Sequence, residues 1–196
     1  MRWLAIVIAL VGVASAAPKQ AKKHEHGTLV LMIDRSGSMH VGGNEAATTA
    51  LRAVIAELDP SDDVAVIAFD AAPSVIVRRQ KASNVDLHDL DRLQFGGATD
   101  FVPALKLARK MFDGVAGKKH IVMISDGDAP SDGLAPVLDE LRAAHVTISA
   151  INLGDQEESR LLATIVTKGN GTQYTIDALD NLPKIIARDV AAFVPR

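Results

Sequence analysis

Asp34, Ser36 and Ser38 follow the apolar run Leu29-Val30-Leu31-Met32-Ile33, in the order Asp34-Arg35-Ser36-Gly37-Ser38. Alternate residues of an extended segment point the same way, so one carboxylate and two hydroxyls can converge on a point. Donors that are all oxygen suit a hard divalent cation such as Mg²⁺, Mn²⁺ or Ca²⁺, and suit zinc or copper poorly. Three donors leave an octahedral shell incomplete. Other segments must contribute, or a coordination position stays open for a ligand.

Two further segments offer what is missing. Phe95-Gly96-Gly97-Ala98-Thr99-Asp100 precedes a helical pattern that starts near Phe101. Its glycines permit close backbone approach, Asp100 is a natural N-cap, and Pro103 falls in the first turn, where its missing N–H costs nothing. Thr99 is then free to aim its hydroxyl at the site. The run Ile121-Val122-Met123-Ile124-Ser125 ends in Asp126-Gly127-Asp128. Singly, each of these residues reads equally well as a turn or a cap; together they read as one metal site.

The elements that must position them alternate along the chain. Strands are expected at Thr28–Asp34, Val64–Phe69, Ser74–Val77, Ile121–Ser125, Val146–Leu153 and Thr172–Ile176. Most are continuous Val/Ile-rich runs, the pattern of a sheet covered on both faces. Leu51, Val54, Ile55 and Leu58 recur at helical spacing, as do Phe101, Ala104, Leu105, Ala108 and Phe112, and Leu134, Val137, Leu138 and Leu141. Leu161, Leu162, Ile165 and Val166 mark a fourth helix, and Leu182, Ile185, Ile186 and Phe193 a fifth. The strands around Ala71-Ala72-Pro73 are too close for a helical crossover and should form a hairpin. The expected fold is α/β: a doubly wound, mostly parallel six-stranded sheet with one antiparallel edge strand and helices on both faces. Such sheets bind ligands at the carboxyl ends of their strands, near the point where strand order reverses. Asp34 falls there.

In this setting Asp34-x-Ser36-x-Ser38, Gly-Gly-Ala-Thr99-Asp and Ser-Asp126-Gly resemble the three segments of a von Willebrand factor type A (VWA) domain, from Thr28 to about Phe193. The resemblance implies a metal-ion-dependent adhesion site holding Mg²⁺ or Mn²⁺, with one position open to an acidic group of a protein partner. Carried over by position, Ser36, Ser38 and Thr99 would contact the metal through hydroxyls, and Asp34 and Asp126 directly or through water. Ala98, between the glycine pair and Thr99, departs from the family's more usual Gly-Thr and requires the loop to bulge. The chain also resembles bacterial members found in exported and membrane-associated proteins.

The amino terminus reads as an export signal. Arg2 precedes the apolar stretch Trp3–Val13, and Ala14-Ser15-Ala16 is a small-residue cleavage site. The apolar stretch is shorter than the ~20 residues a spanning helix needs, and no later segment reaches that length. The expected organisation is a signal peptide over 1–16, a polar arm over 17–27 carrying His24-Glu25-His26, and one domain over 28–196. The protein would be periplasmic or secreted, with an uncleaved anchor as the alternative. Removing Arg2 leaves 20 basic against 24 acidic residues, a net charge of −4. That balance argues against a nucleic-acid partner. The chain has no cysteine, so its stability must come from its core.

The rival class is a metal-dependent hydrolase. Aspartyl phosphatase chemistry of the haloacid dehalogenase type needs a second carboxylate two residues after the nucleophile, and Ser36 stands there. Nucleophile-elbow and phosphate-loop motifs are missing from the sequence. The expectation is a binding module and not an enzyme, with a metal-free paralogue as the remaining option. Other acids read as structural: Asp128 as a loop acid, Asp70 as a turn, Asp86–Asp91 as a short exposed helix. His40 borders the expected ligand face, and Asn152 reads as a loop residue.

Overall fold

The computed structural model describes residues 26–40, 43–94, 96–126, 129–153 and 159–193. The expected signal peptide, most of the arm, and Asp128 lie outside them. Among the described residues six strands form one sheet: β1 (Gly27–Asp34), β2 (Asp63–Phe69), β3 (Ser74–Lys81), β4 (Lys118–Ser125), β5 (Val146–Leu153) and β6 (Asn170–Ile176). Their order is β3-β2-β1-β4-β5-β6, and only the β2–β3 pair is antiparallel. The hairpin follows from its short connection, where Asp70 Oδ1 accepts from the Ala72 N–H at 2.7 Å.

Every residue of β1 is buried, because helices cover both faces. Leu29, Leu31 and Ile33 pack with α1 (Gly43–Glu57) and α5 (Leu182–Phe193). Val30 and Met32 pack on the other side with α2 (Phe101–Met111), α3 (Leu134–Ala143) and α4 (Arg160–Gly169). The alternation of a strand thus feeds two cores, which is why the sequence shows an unbroken apolar run. The caps act as their sequences suggest: Asp100 accepts from the Val102 N–H at 3.0 Å and so starts α2 directly after Thr99. Residues Leu87–Arg92 form a 3-10 helix capped by Asp86.

Two local expectations change. β3 continues past Val77 to Lys81; Arg78 and Arg79 are exposed, and charged side chains are what a solvent-facing edge strand carries. Asn152, expected in a loop, is fully buried inside β5, in register with Ser125.

Near the amino edge of the sheet a buried polar network ties α5 down. His120 Nε2 donates to Asp189 Oδ2 at 2.6 Å, and Nδ1 meets Thr147 Oγ1 at 2.7 Å. Asp189 Oδ1 accepts from Ser149 Oγ at 2.8 Å and Tyr174 OH at 3.1 Å. The His120 ring also stacks on Phe193, with centroids 4.6 Å apart. Burial, with the Asp189 carboxylate beside it, holds the Tyr174 phenol above its usual range.

Candidate metal centre

Strand order reverses between β1 and β4, so the crevice of this sheet opens at their carboxyl ends. Asp34 ends β1 and Ser125 ends β4. Asp34 is fully buried. Its Oδ1 accepts from the Ser36 N–H at 2.8 Å, which bends the chain directly out of the strand. Its Oδ2 accepts from Ser125 Oγ at 2.6 Å and, more distantly, from Thr99 Oγ1 at 3.5 Å. Burial raises the Asp34 carboxyl above the usual carboxylate range; the hydrogen bonds from Ser125 and Ser36 oppose this, and the Asp126 charge adds to it.

The Thr99 loop turns on two left-handed glycines, Gly96 at φ 142° and Gly97 at φ 114°. The Gly96 N–H donates to the Arg35 carbonyl at 2.7 Å, and the Gly37 N–H to the Gly97 carbonyl at 3.4 Å. Ala98 is left exposed, while Thr99 comes back to Asp34. Only a glycine suits position 97: a side chain would need φ > 0, and its Cβ would lie 3.0 Å from Asp70 Oδ2.

Of the residues named from the sequence, Asp34, Ser36 and Thr99 come together, and Asp126 is close enough for its charge to act on Asp34. Ser38 lies in the 3-10 turn Gly37–His40, immediately past Ser36. Three contributors carry no site role in the sequence reading, where Asp70 is a turn residue. Ser125 sits inside a quoted motif but looks like the end of an apolar strand; the one signal was a hydroxyl closing that run. Arg35 and Asp70 pair at Nε–Oδ2 3.0 Å and Nη2–Oδ1 3.2 Å. They follow the last residues of two neighbouring strands, and only the sheet order reveals that they meet.

The arrangement fits a hard cation. The donors are carboxylates and hydroxyls, and the central carboxylate is desolvated and faces a second negative charge, a balance that a divalent ion would reverse. Among the described residues no cluster of three His, Cys, Asp or Glu side chains offers a rival metal site.

A family model of the von Willebrand factor type A domain matches residues 28–188. The chain belongs to this family. An uncharacterized protein of Synechocystis sp., sll0103, is 26% identical over 158 residues, covering 76% of this chain and 37% of that protein. The chain therefore spans little more than a third of that relative. Among solved structures, a von Willebrand factor type A protein from Catenulispora acidiphila superposes with TM-score 0.73 at 24% identity, over 84% of this chain and 42% of that one. Proximal thread matrix protein 1 of the mussel byssus, solved with zinc in its MIDAS motif, superposes with TM-score 0.72 at 16% identity, over 86% and 46%. These two likenesses establish a shared fold, the VWA fold expected from the sequence. In that mussel protein the MIDAS motif holds a divalent ion, zinc. Domains of this family commonly serve protein interactions, and among the described residues of this one no helix is long and apolar enough to cross a membrane.

Proposed function

We propose that this VWA domain is a protein-binding module that works through a divalent cation, Mg²⁺ or Mn²⁺, held by Asp34, Ser36, Ser38, Thr99 and Asp126. The observation that carries this reading is the convergence of Thr99, Ser125 and the Ser36 N–H on a buried Asp34 carboxylate at the reversal point of the sheet. With neutral hydroxyls as direct contacts and the carboxylates acting in part through water, the ion keeps electrophilic character. Mg²⁺ also retains waters, one of which an outside carboxylate can displace. The partner is accordingly a protein presenting an Asp or Glu. The segment 1–16 would export the domain to the periplasm or medium, with 17–27 as a spacer.

The test is calorimetric titration with Mg²⁺ and Mn²⁺, with zinc as a competitor. Asp34→Ala and Ser36→Ala should each abolish binding while circular dichroism stays that of the wild type; undiminished affinity in either variant removes the site assignment. Capture of partners from the exported fraction should be lost on adding EDTA and in Asp34→Ala. The hydrolase reading has less support, because Ser36 occupies the position of its general acid. Purified protein should turn over neither phosphate esters nor peptides, and metal-dependent turnover abolished by Asp34→Asn would reverse that assignment.

A further inference from the structure

Arg35, the first of the two residues between the named ones in Asp34-x-Ser36-x-Ser38, is the point where three loops of the candidate site are laced together. Its N–H donates to the Phe69 carbonyl at 2.9 Å, and its carbonyl accepts from Gly96. Its guanidinium grips Asp70 through Nε and Nη2, and Nη2 also donates to the Ala72 carbonyl at 2.9 Å. Both side chains of the pair are largely buried, at 21% and 15% exposed. Asp70 is in turn fixed by the Ala72 N–H, and it lies beside Gly97, where an added Cβ would come 3.0 Å from its Oδ2. Gly97 is two residues before Thr99. Asp70 thus meets the loop at the residue from which the chain must turn back past Ala98.

We propose that the Arg35–Asp70 pair is a positioning clamp that seats the Gly96–Thr99 loop and so sets whether the Thr99 hydroxyl reaches the cation. The inference rests on the metal-binding reading above. A planar, bidentate guanidinium holds direction as well as distance, which a lysine ammonium does not. Groups that orient a metal ligand without touching the ion typically cost 10–100-fold in affinity when removed, and the pair is expected to behave in that way through Thr99.

The test is a double-mutant cycle on Mn²⁺ affinity, read by calorimetry and by water-proton relaxation, which reports the water bound to the ion. Arg35→Lys and Asp70→Asn should each weaken Mn²⁺ about tenfold and increase the bound water, as Thr99→Ala should also do. In the Thr99→Ala background neither should weaken it further, because the clamp acts through that hydroxyl. Asp70→Asn keeps an acceptor for the Ala72 N–H, so the variant is expected to fold. Full additivity with Thr99→Ala, or unchanged affinity in both clamp variants, overturns the proposal. Failure of the wild type to bind Mn²⁺ overturns instead the reading on which it rests.

Discussion

Asp34 carries the electrostatic tension of this domain in a single side chain. Its carboxyl is held above the ordinary range by burial first and by Asp126 in addition. Between the ordinary and the raised value the native state holds more protons than the unfolded chain, so the stability of the metal-free protein falls as pH rises through that window. Asp34→Asn keeps an acceptor for the Ser36 N–H, turns an amide toward Ser125 and has no charge to desolvate. Above neutral pH in EDTA the variant should therefore melt no lower than the wild type, and the order should reverse once Mg²⁺ is added; thermal melts in both buffers measure this. A wild type that melts higher even in EDTA would contradict the strain assigned to Asp34. The proposed donors stood out in the sequence because three donor-bearing segments coincide, two of them after apolar runs, although each residue alone reads equally well as a turn or a cap. The sequence hid the pairing of Arg35 with Asp70 because Asp70 reads as a turn residue, and which strand ends are neighbours is known only from the sheet order.

Elements were legible where burial dictates composition and obscure where it does not. β1, β4 and β5 are apolar because helices cover both faces, so their runs stand out. β3 and β6 are edges, and their polar residues mask their length. β6 depends on a close approach that hydrophobicity does not encode: a Cβ on Gly171 would fall on the Ile148 carbonyl oxygen, and one on Gly169 would lie 2.6 Å from Ile148 Cβ. Gly171→Ala should therefore cost roughly 1–3 kcal/mol or more as β6 is pushed off β5. Urea unfolding measures that loss. Mn²⁺ affinity should hold, because β6 supplies none of the proposed ligands.

Across the whole molecule, chemistry and anchoring are placed at opposite ends of the sheet. His120 and Ser125 lie on the same strand, five residues or roughly 16 Å apart, the first in the α5 network and the second on Asp34. Asp189→Ala would leave the buried His120 and Ser149 and the half-buried Tyr174 without their common acceptor. It should cost about 3–5 kcal/mol in chemical denaturation while Mn²⁺ affinity below the transition stays as in the wild type. Neither the network nor its separation from the proposed metal site could be read from the chain, since its members come from three strands and a helix far apart in sequence. The central place of β1 has a mechanical side. Its first residue continues from the arm and its last is Asp34, with β2 and β4 bonded alongside from end to end. A partner held at the cation and a tether on the arm would load this strand along its own axis, so that both flanking ladders shear together and neither unzips rung by rung. In single-molecule pulling, a handle at His26 should thus hold to higher force than one placed in the Asp70–Pro73 hairpin, where β3 can peel from the edge.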